Sequence, residues 1–203
     1  MYDLYSKLRL FVLKLKIKYI EQDPFMKGIV LKARLYSFRV DTLTRHKYDG
    51  KHYSFHTYMV YLFAKKYIHL IPEEDREDVL AAAFTHDLIE DCRETFNDVK
   101  KETNEKVARL TSALTTLVHG HNRSERAPRS YYVRILLEKY ADYLKLCDRL
   151  ANTNISIIGN KGTMGLKYAM EYPHFKKALY HNEYDELFLE LEGMYESIKN
   201  KNK

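Results

Sequence analysis

Six consecutive residues, His86-Asp87-Leu88-Ile89-Glu90-Asp91, place one imidazole and three carboxylates directly behind the apolar run Ala81-Ala82-Ala83-Phe84. An ionised carboxylate in apolar surroundings is costly unless it is paired or binds a cation. On one continuous helix His86 and Glu90 share a face, as do Asp87 and Asp91, so the spacing predicts two ligand-type groups with two more carboxylates one turn on. His56 follows Tyr53-Ser54-Phe55 near the start of another segment that reads as a buried helix, and Asp148 stands among apolar neighbours in Lys145-Leu146-Cys147-Asp148-Arg149-Leu150-Ala151-Asn152. Each residue alone has an ordinary explanation: a hydrogen-bonded core histidine, a surface ion pair, a solvated turn of helix. Together, and in that order on three helices, they supply two imidazoles and two carboxylates. Such a mixed nitrogen and oxygen set suits Mn²⁺, Fe²⁺ or Zn²⁺ better than Ca²⁺. Four protein ligands around an octahedral ion leave room for water and a substrate oxygen.

The elements that must position these groups read as helices throughout. Ile29, Ala33, Tyr36 and Val40 recur on one face of a helix predicted from Met26 to Thr44, which ends in a loop, Arg45 to Gly50, with an Asp-Gly turn signal. Further helices are predicted over Phe55 to Ile68, from Pro72 through the apolar stretch Val79 to Ile89, and over Thr95 to His119. Others cover Ser130 to Asn154, Thr163 to Tyr172 and Asn182 to Ile198. Lys14-Leu15-Lys16-Ile17-Lys18 also alternates like a strand, but no other segment alternates over several residues, so the expected class is all-α. Residues 1–24 read as a basic amphipathic extension, with Leu4, Leu8, Phe11, Leu15 and Tyr19 at helical spacing, and residues 25–203 as one domain.

Composition agrees with that class. Only 7 glycines and 4 prolines occur in 203 residues, too few for the many tight turns of a sandwich or barrel. The formal charge of +6 favours anionic partners, phosphorylated small molecules among them. Two cysteines without CxxC spacing give no disulfide framework, so a reducing cytoplasm is expected. No apolar run reaches the roughly 18 residues that a membrane helix needs.

The longer strings resemble a known family. His56, His86-Asp87 and Asp148 look like the H…HD…D signature of the HD phosphohydrolase superfamily, an all-α helical bundle. Arg45 to His56 is similar to the Arg…Gly…Tyr-x-x-His segment of the hydrolase domain of RelA/SpoT enzymes and of small stand-alone alarmone hydrolases. Ala82 to Asp91 resembles their AALLHDxxED string, and Lys145 to Asn152 their KLADRLxN string. The resemblance covers roughly residues 26–180. It implies that His56, His86, Asp87 and Asp148 hold one Mn²⁺, with Fe²⁺, Zn²⁺ or Mg²⁺ as alternatives, and that Glu90 and Asp91 position or deprotonate the attacking water. It further implies that Arg45 lies near the metal and acids or grips substrate, that Asn152 contacts the nucleotide and that Tyr53 shapes the pocket. Lys167 and Tyr168 are expected on a helix facing the site. The implied reaction is hydrolysis of the 3′-diphosphate of (p)ppGpp to pyrophosphate and GDP or GTP, in a hydrolase without a synthetase domain.

The chain departs from the family at three places. Thr57 stands where proline often follows the first metal histidine. His46, then Lys47, stand where a lysine often follows the arginine, in a position expected to touch substrate. The segment Thr153 to Met164 is unlike the family strings, and with Gly159, Gly162 and Gly165 it reads as a flexible pocket rim. Another nucleotide, such as an adenine alarmone or a deoxynucleotide, and a non-catalytic nucleotide-binding module therefore stay open as alternatives. The expected partner is a phosphorylated nucleotide, with neither nucleic acid nor membrane, and the oligomeric state is left open. His119, His121, Arg123, Arg126 and Arg129 read as a solvated basic loop.

Overall fold

The computed structural model describes residues 23–48, 50–116, 129–158 and 162–201. The expected N-terminal amphipathic helix and the basic loop around His119 to Arg126 fall outside these residues. Among the described residues the fold is all-α apart from one short hairpin. In chain order, α1 spans Gly28–Thr44, followed by β1 (Lys47–Tyr48) and β2 (Lys51–His52). Then come α2 (Ser54–Lys66), α3 (Arg76–Thr85), α4 (Leu88–Asp91), α5 (Phe96–Glu102) and α6 (Glu105–Leu114). The last four are α7 (Arg129–Leu137), α8 (Ala141–Ile158), α9 (Gly162–Leu179) and α10 (Asp185–Lys201).

The central element is α3. Every residue from Val79 to Thr85 is buried, because α1, α2 and α6 pack around it. Full burial of side chains such as Leu80 and Phe84 stabilises by about 1.5–3 kcal/mol each relative to exposure. α8 closes the other side of the bundle, packing on α2, α9 and α10. The residues with chemistry thus sit where α2, the end of α3 and α8 converge.

Three predicted helices are divided, each for a local reason. Val79 to Ile89 is not one helix: α3 ends at Thr85, His86 and Asp87 form a turn, and α4 is a single further turn. Thr95 to His119 divides at Thr103-Asn104, where Asn104 caps α6 by accepting from the Val107 amide at 2.9 Å. Thr95 likewise caps α5 in a capping box with Asp98. Ser130 to Asn154 divides at Tyr140, whose φ of 72° cannot continue a right-handed helix. The loop after α1 is a hairpin, with Lys47 opposite His52 and Tyr48 opposite Lys51. Its two-residue connection carries Gly50 at φ 75°, the left-handed backbone that tight hairpins require.

α9 runs to Leu179, with Pro173 inside it, well past the predicted end at Tyr172. Gly165 belongs to this helix and not to a loose rim: a Cβ there would lie 2.9 Å from Ile198 Cδ1 of α10. Among the described residues no helix is long and apolar enough to cross a membrane.

Candidate metal centre

The structure brings His56, His86, Asp87 and Asp148 together. His56 comes from the first turn of α2, His86 and Asp87 from the turn that ends α3, and Asp148 from the middle of α8. The two Nε2 atoms face each other at 3.3 Å. Asp148 Oδ1 lies 3.2 Å from His56 Nε2 and 3.8 Å from His86 Nε2. Asp87 Oδ2 lies 2.8 Å from His86 Nε2 and 3.7 Å from His56 Nε2. Adjacent ligands of an octahedral ion with bonds of about 2.1 Å stand about 3 Å apart, so this spacing fits one cation.

The surroundings prepare the donors for it. His86 Nδ1 is 3.0 Å from the Ala83 carbonyl. The carbonyl can only accept, so the Nδ1 proton points at it and Nε2 is turned into the cluster. Tyr53 donates its hydroxyl to Asp87 Oδ2. Asn152 Nδ2 donates to Asp148 Oδ1 at 2.5 Å, and Lys145 donates to Asp148 Oδ2 at 2.9 Å. His56 Nδ1 is buried and has no hydrogen-bond partner among the described residues. Both imidazoles are about 1% exposed.

Electrostatics favour positive charge at this point. Burial opposes ionisation of His86, but Asp87 and Asp148 outweigh it and push the imidazole up to about 9. Burial likewise opposes the Asp87 carboxylate, yet His86 and His56 bring it down to about 2. Asp148 is held well below the usual carboxylate range because Lys145 and the two imidazoles outweigh its burial. Two carboxylates that stay ionised in a buried pocket call for positive charge there, which a divalent cation supplies.

Of the remaining candidates, Tyr53 and Asp91 border this cluster. Asp91 is 41% exposed at its side chain, and burial, helped by Asp87 and Glu90, raises its carboxyl to about 7. Glu90 is exposed and accepts from the Thr116 amide at 2.8 Å. Arg45 caps the end of α1 at φ 55°, an uncommon conformation for a side-chain-bearing residue, and its side chain is exposed. Lys47 is exposed on β1, and Lys167 is exposed on α9. Tyr168 is buried beneath the Arg149 guanidinium, 4.7 Å from the ring centroid. Tyr53 is buried and stacks on His46 at 3.7 Å. The His46 ring therefore sits against Tyr53, 3.6 Å from Asp91 Oδ2 and 3.5 Å from Cys92 Sγ.

Sequence reasoning passed over Tyr48. The hairpin folds its ring onto His56, with centroids 4.8 Å apart and planes 11° from parallel, and its hydroxyl donates to Asn152 Oδ1 at 2.5 Å. It also passed over Lys145, although that lysine precedes Asp148 by three residues on one helix, the spacing of an intrahelical ion pair.

Residues 53–153 match the family model of the HD domain. The match contains the four clustered side chains, Glu90, Asp91 and Asn152, and begins after the hairpin that carries Tyr48. The chain thus carries an HD domain, which supports a place in the HD phosphohydrolase superfamily and implies a metal-dependent phosphohydrolase.

Proposed function

We propose that this protein is a metal-dependent pyrophosphohydrolase acting on the 3′-diphosphate of (p)ppGpp, with Mn²⁺ as its cation. The observation that carries the proposal is the convergence of His56, His86, Asp87 and Asp148, with Glu90 and Asp91 one turn beyond. When bound, a divalent cation acidifies water and neutralises charge that builds on phosphorus.

The chain's own residues then do the rest. Asp91 accepts a proton from the attacking water, and Glu90 holds that water in line. Water adds to the phosphorus attached to the ribose 3′-oxygen, the bond from that phosphorus to O3′ breaks, and the 3′-oxygen takes up a proton. Pyrophosphate leaves carrying the water oxygen, and GDP or GTP remains. Arg45 and Lys47, both exposed at the start of the hairpin, neutralise the outer phosphate oxygens. Tyr53 fixes the Asp87 carboxylate. The paired Tyr48 and Asn152 form the wall nearest His56 and meet the nucleotide there, with Lys167 and Tyr168 following from α9.

One observation favours a second reading, an HD hydrolase of a different nucleotide. His46 stands where related enzymes often carry lysine, and its ring is engaged with Tyr53, Cys92, Asp41 and Asp91. It offers no free cation to a substrate. Incubating the full chain with Mn²⁺ and a panel of nucleotides separates the readings. Release of pyrophosphate from ppGpp supports the alarmone, and phosphate or triphosphate released from other nucleotides, with ppGpp intact, rejects it.

A further inference from the structure

A second group of donor atoms lies beside the HD cluster. Asp41 from the last turns of α1, His46 from the loop after it and Cys92 from the end of α4 converge on one point. Cys92 Sγ is 3.5 Å from His46 Nδ1 and 3.7 Å from Asp41 Oδ1, and His46 Nδ1 is 3.6 Å from Asp41 Oδ1. The nitrogen and oxygen are too far apart for an ordinary hydrogen bond, which spans about 2.7–3.2 Å. A lone thiol hydrogen can serve only one of its two neighbours. The three edges are instead nearly equal. In a tetrahedral site with Zn–S near 2.3 Å and Zn–N and Zn–O near 2.0–2.1 Å, such edges are about 3.3–3.6 Å.

Burial separates this group from a chance surface cluster. The Asp41 side chain is fully buried, Cys92 is 5% exposed and the His46 side chain 20%. Asp41 forms no ion pair with lysine or arginine among the described residues, and its other oxygen has only Ser37 Oγ, at 3.4 Å. A buried carboxylate without a strong partner is costly, and a cation relieves that cost. Asp91 Oδ2 lies 3.6 Å from the second nitrogen of His46, the place where metal-binding histidines favour a carboxylate.

We infer that Asp41, His46 and Cys92 form a second metal site, separate from the HD centre, that takes a thiophilic divalent cation of the Zn²⁺ type. Binding transfers the thiol proton to solvent and leaves a thiolate, an imidazole and a carboxylate on the ion, with one position open to Thr44 Oγ or water. Thr44 Oγ is already 3.7 Å from Cys92 Sγ. Such a site pins the end of α1 to the end of α4. Through His46, stacked on Tyr53, it steadies the hydroxyl that holds Asp87, and it fixes one neighbour of Asp91.

Cobalt titration of the chelator-stripped full chain tests this, because thiolate-bound Co²⁺ gives a charge-transfer band that nitrogen and oxygen ligands do not. The band is expected to saturate with one thiolate-bound Co²⁺ per chain, within the two equivalents that fill both sites, to vanish in Cys92→Ser, and to need at least tenfold more Co²⁺ in His46→Ala and Asp41→Asn. It is expected to persist in His86→Ala, which damages only the HD centre, and in Cys147→Ala. Absence of the band from the wild-type protein, or its persistence in Cys92→Ser, overturns the inference. If Cys92→Ser does not fold, unchanged Co²⁺ affinity in both His46→Ala and Asp41→Asn overturns it equally.

Discussion

The imidazoles of His56 and His86, thirty residues apart in the chain, present their Nε2 atoms to each other at 3.3 Å inside a pocket that also holds Asp87 and Asp148. A divalent cation between them would be held by both nitrogens and by the two carboxylates, and would meet the charge of Asp87 and Asp148 in a buried pocket. The arrangement therefore makes the metal part of the folded structure as well as part of the chemistry.

Removing a ligand should remove both. His56→Ala or Asp87→Ala is expected to abolish Mn²⁺ binding and to bring turnover down to background, and chelation of the wild-type protein should do the same reversibly. Binding also stabilises the folded chain by mass action, about 2.7 kcal/mol at a hundred times Kd. The melting temperature of the wild type should rise with added Mn²⁺ and that of His56→Ala should not. Equal shifts in the two proteins would contradict the site.

Glu90→Gln keeps the shape and loses the charge. It is expected to bind Mn²⁺ normally while turnover falls about 100-fold, in line with the loss of one acid–base group. Measuring kcat and metal affinity on the same preparation decides the matter, and a loss of metal would make Glu90 a ligand instead.

Asp91 sets the acid limb of the rate profile. Burial and the neighbouring Asp87 and Glu90 raise its carboxyl to about 7. A cation held by Asp87 would offset part of that repulsion and favour the ionised form of Asp91. Activity should therefore drop as pH falls through the range below 7, and Asp91→Asn should remove this limb together with most of the rate. A limb that survives unchanged in Asp91→Asn belongs to another group.

Tyr48→Phe removes the hydroxyl that binds Asn152 and keeps the ring on His56. It is expected to cost about 1 kcal/mol of stability and to raise KM severalfold with little change in metal affinity. An unchanged KM would confine Tyr48 to a packing role.

Away from the site, Asp75 ties the turn before α3 to α6 and to Tyr140. Lys106 and Tyr140, with Lys139 at 3.2 Å, bring its carboxyl down to about 2. Its folded value lies below the unfolded value of about 3.9. Its contribution is thus present above about pH 4 and is lost as pH falls towards 2. Asp75→Asn should lower the melting temperature at neutral pH and flatten its decline between pH 4 and 2. A wild-type decline of the same steepness in the variant would assign it to other carboxylates.

The helical class and the four converging side chains could be read in the sequence, because buried helices leave long apolar periodicity and a polar residue inside such a run needs a partner. The breaks were harder to read. Thr85-His86-Asp87 has helical residues on both sides, and the turn there is set by tertiary contacts, with Asp87 reaching Tyr53 and both imidazoles. Tyr140 ends a helix at positive φ without glycine or asparagine to announce it. Tyr48 acquires its place on His56 only because a two-residue turn folds the hairpin back, and two strands of two residues leave no alternation to detect. Asp41, His46 and Cys92 lie on three elements with no shared motif, so their proximity exists only in three dimensions. Residues 1–22 and the basic loop near His119 carry expectations that the described structure does not reach.

Magnetic resonance of bound Mn²⁺ in protein labelled with ¹⁵N-histidine tests the central claim most directly. The account predicts coupling to two imidazole nitrogens in the wild type, with the bound signal lost in both His56→Ala and His86→Ala. Mn²⁺ bound without nitrogen coupling, or coupling that survives either substitution intact, would contradict it.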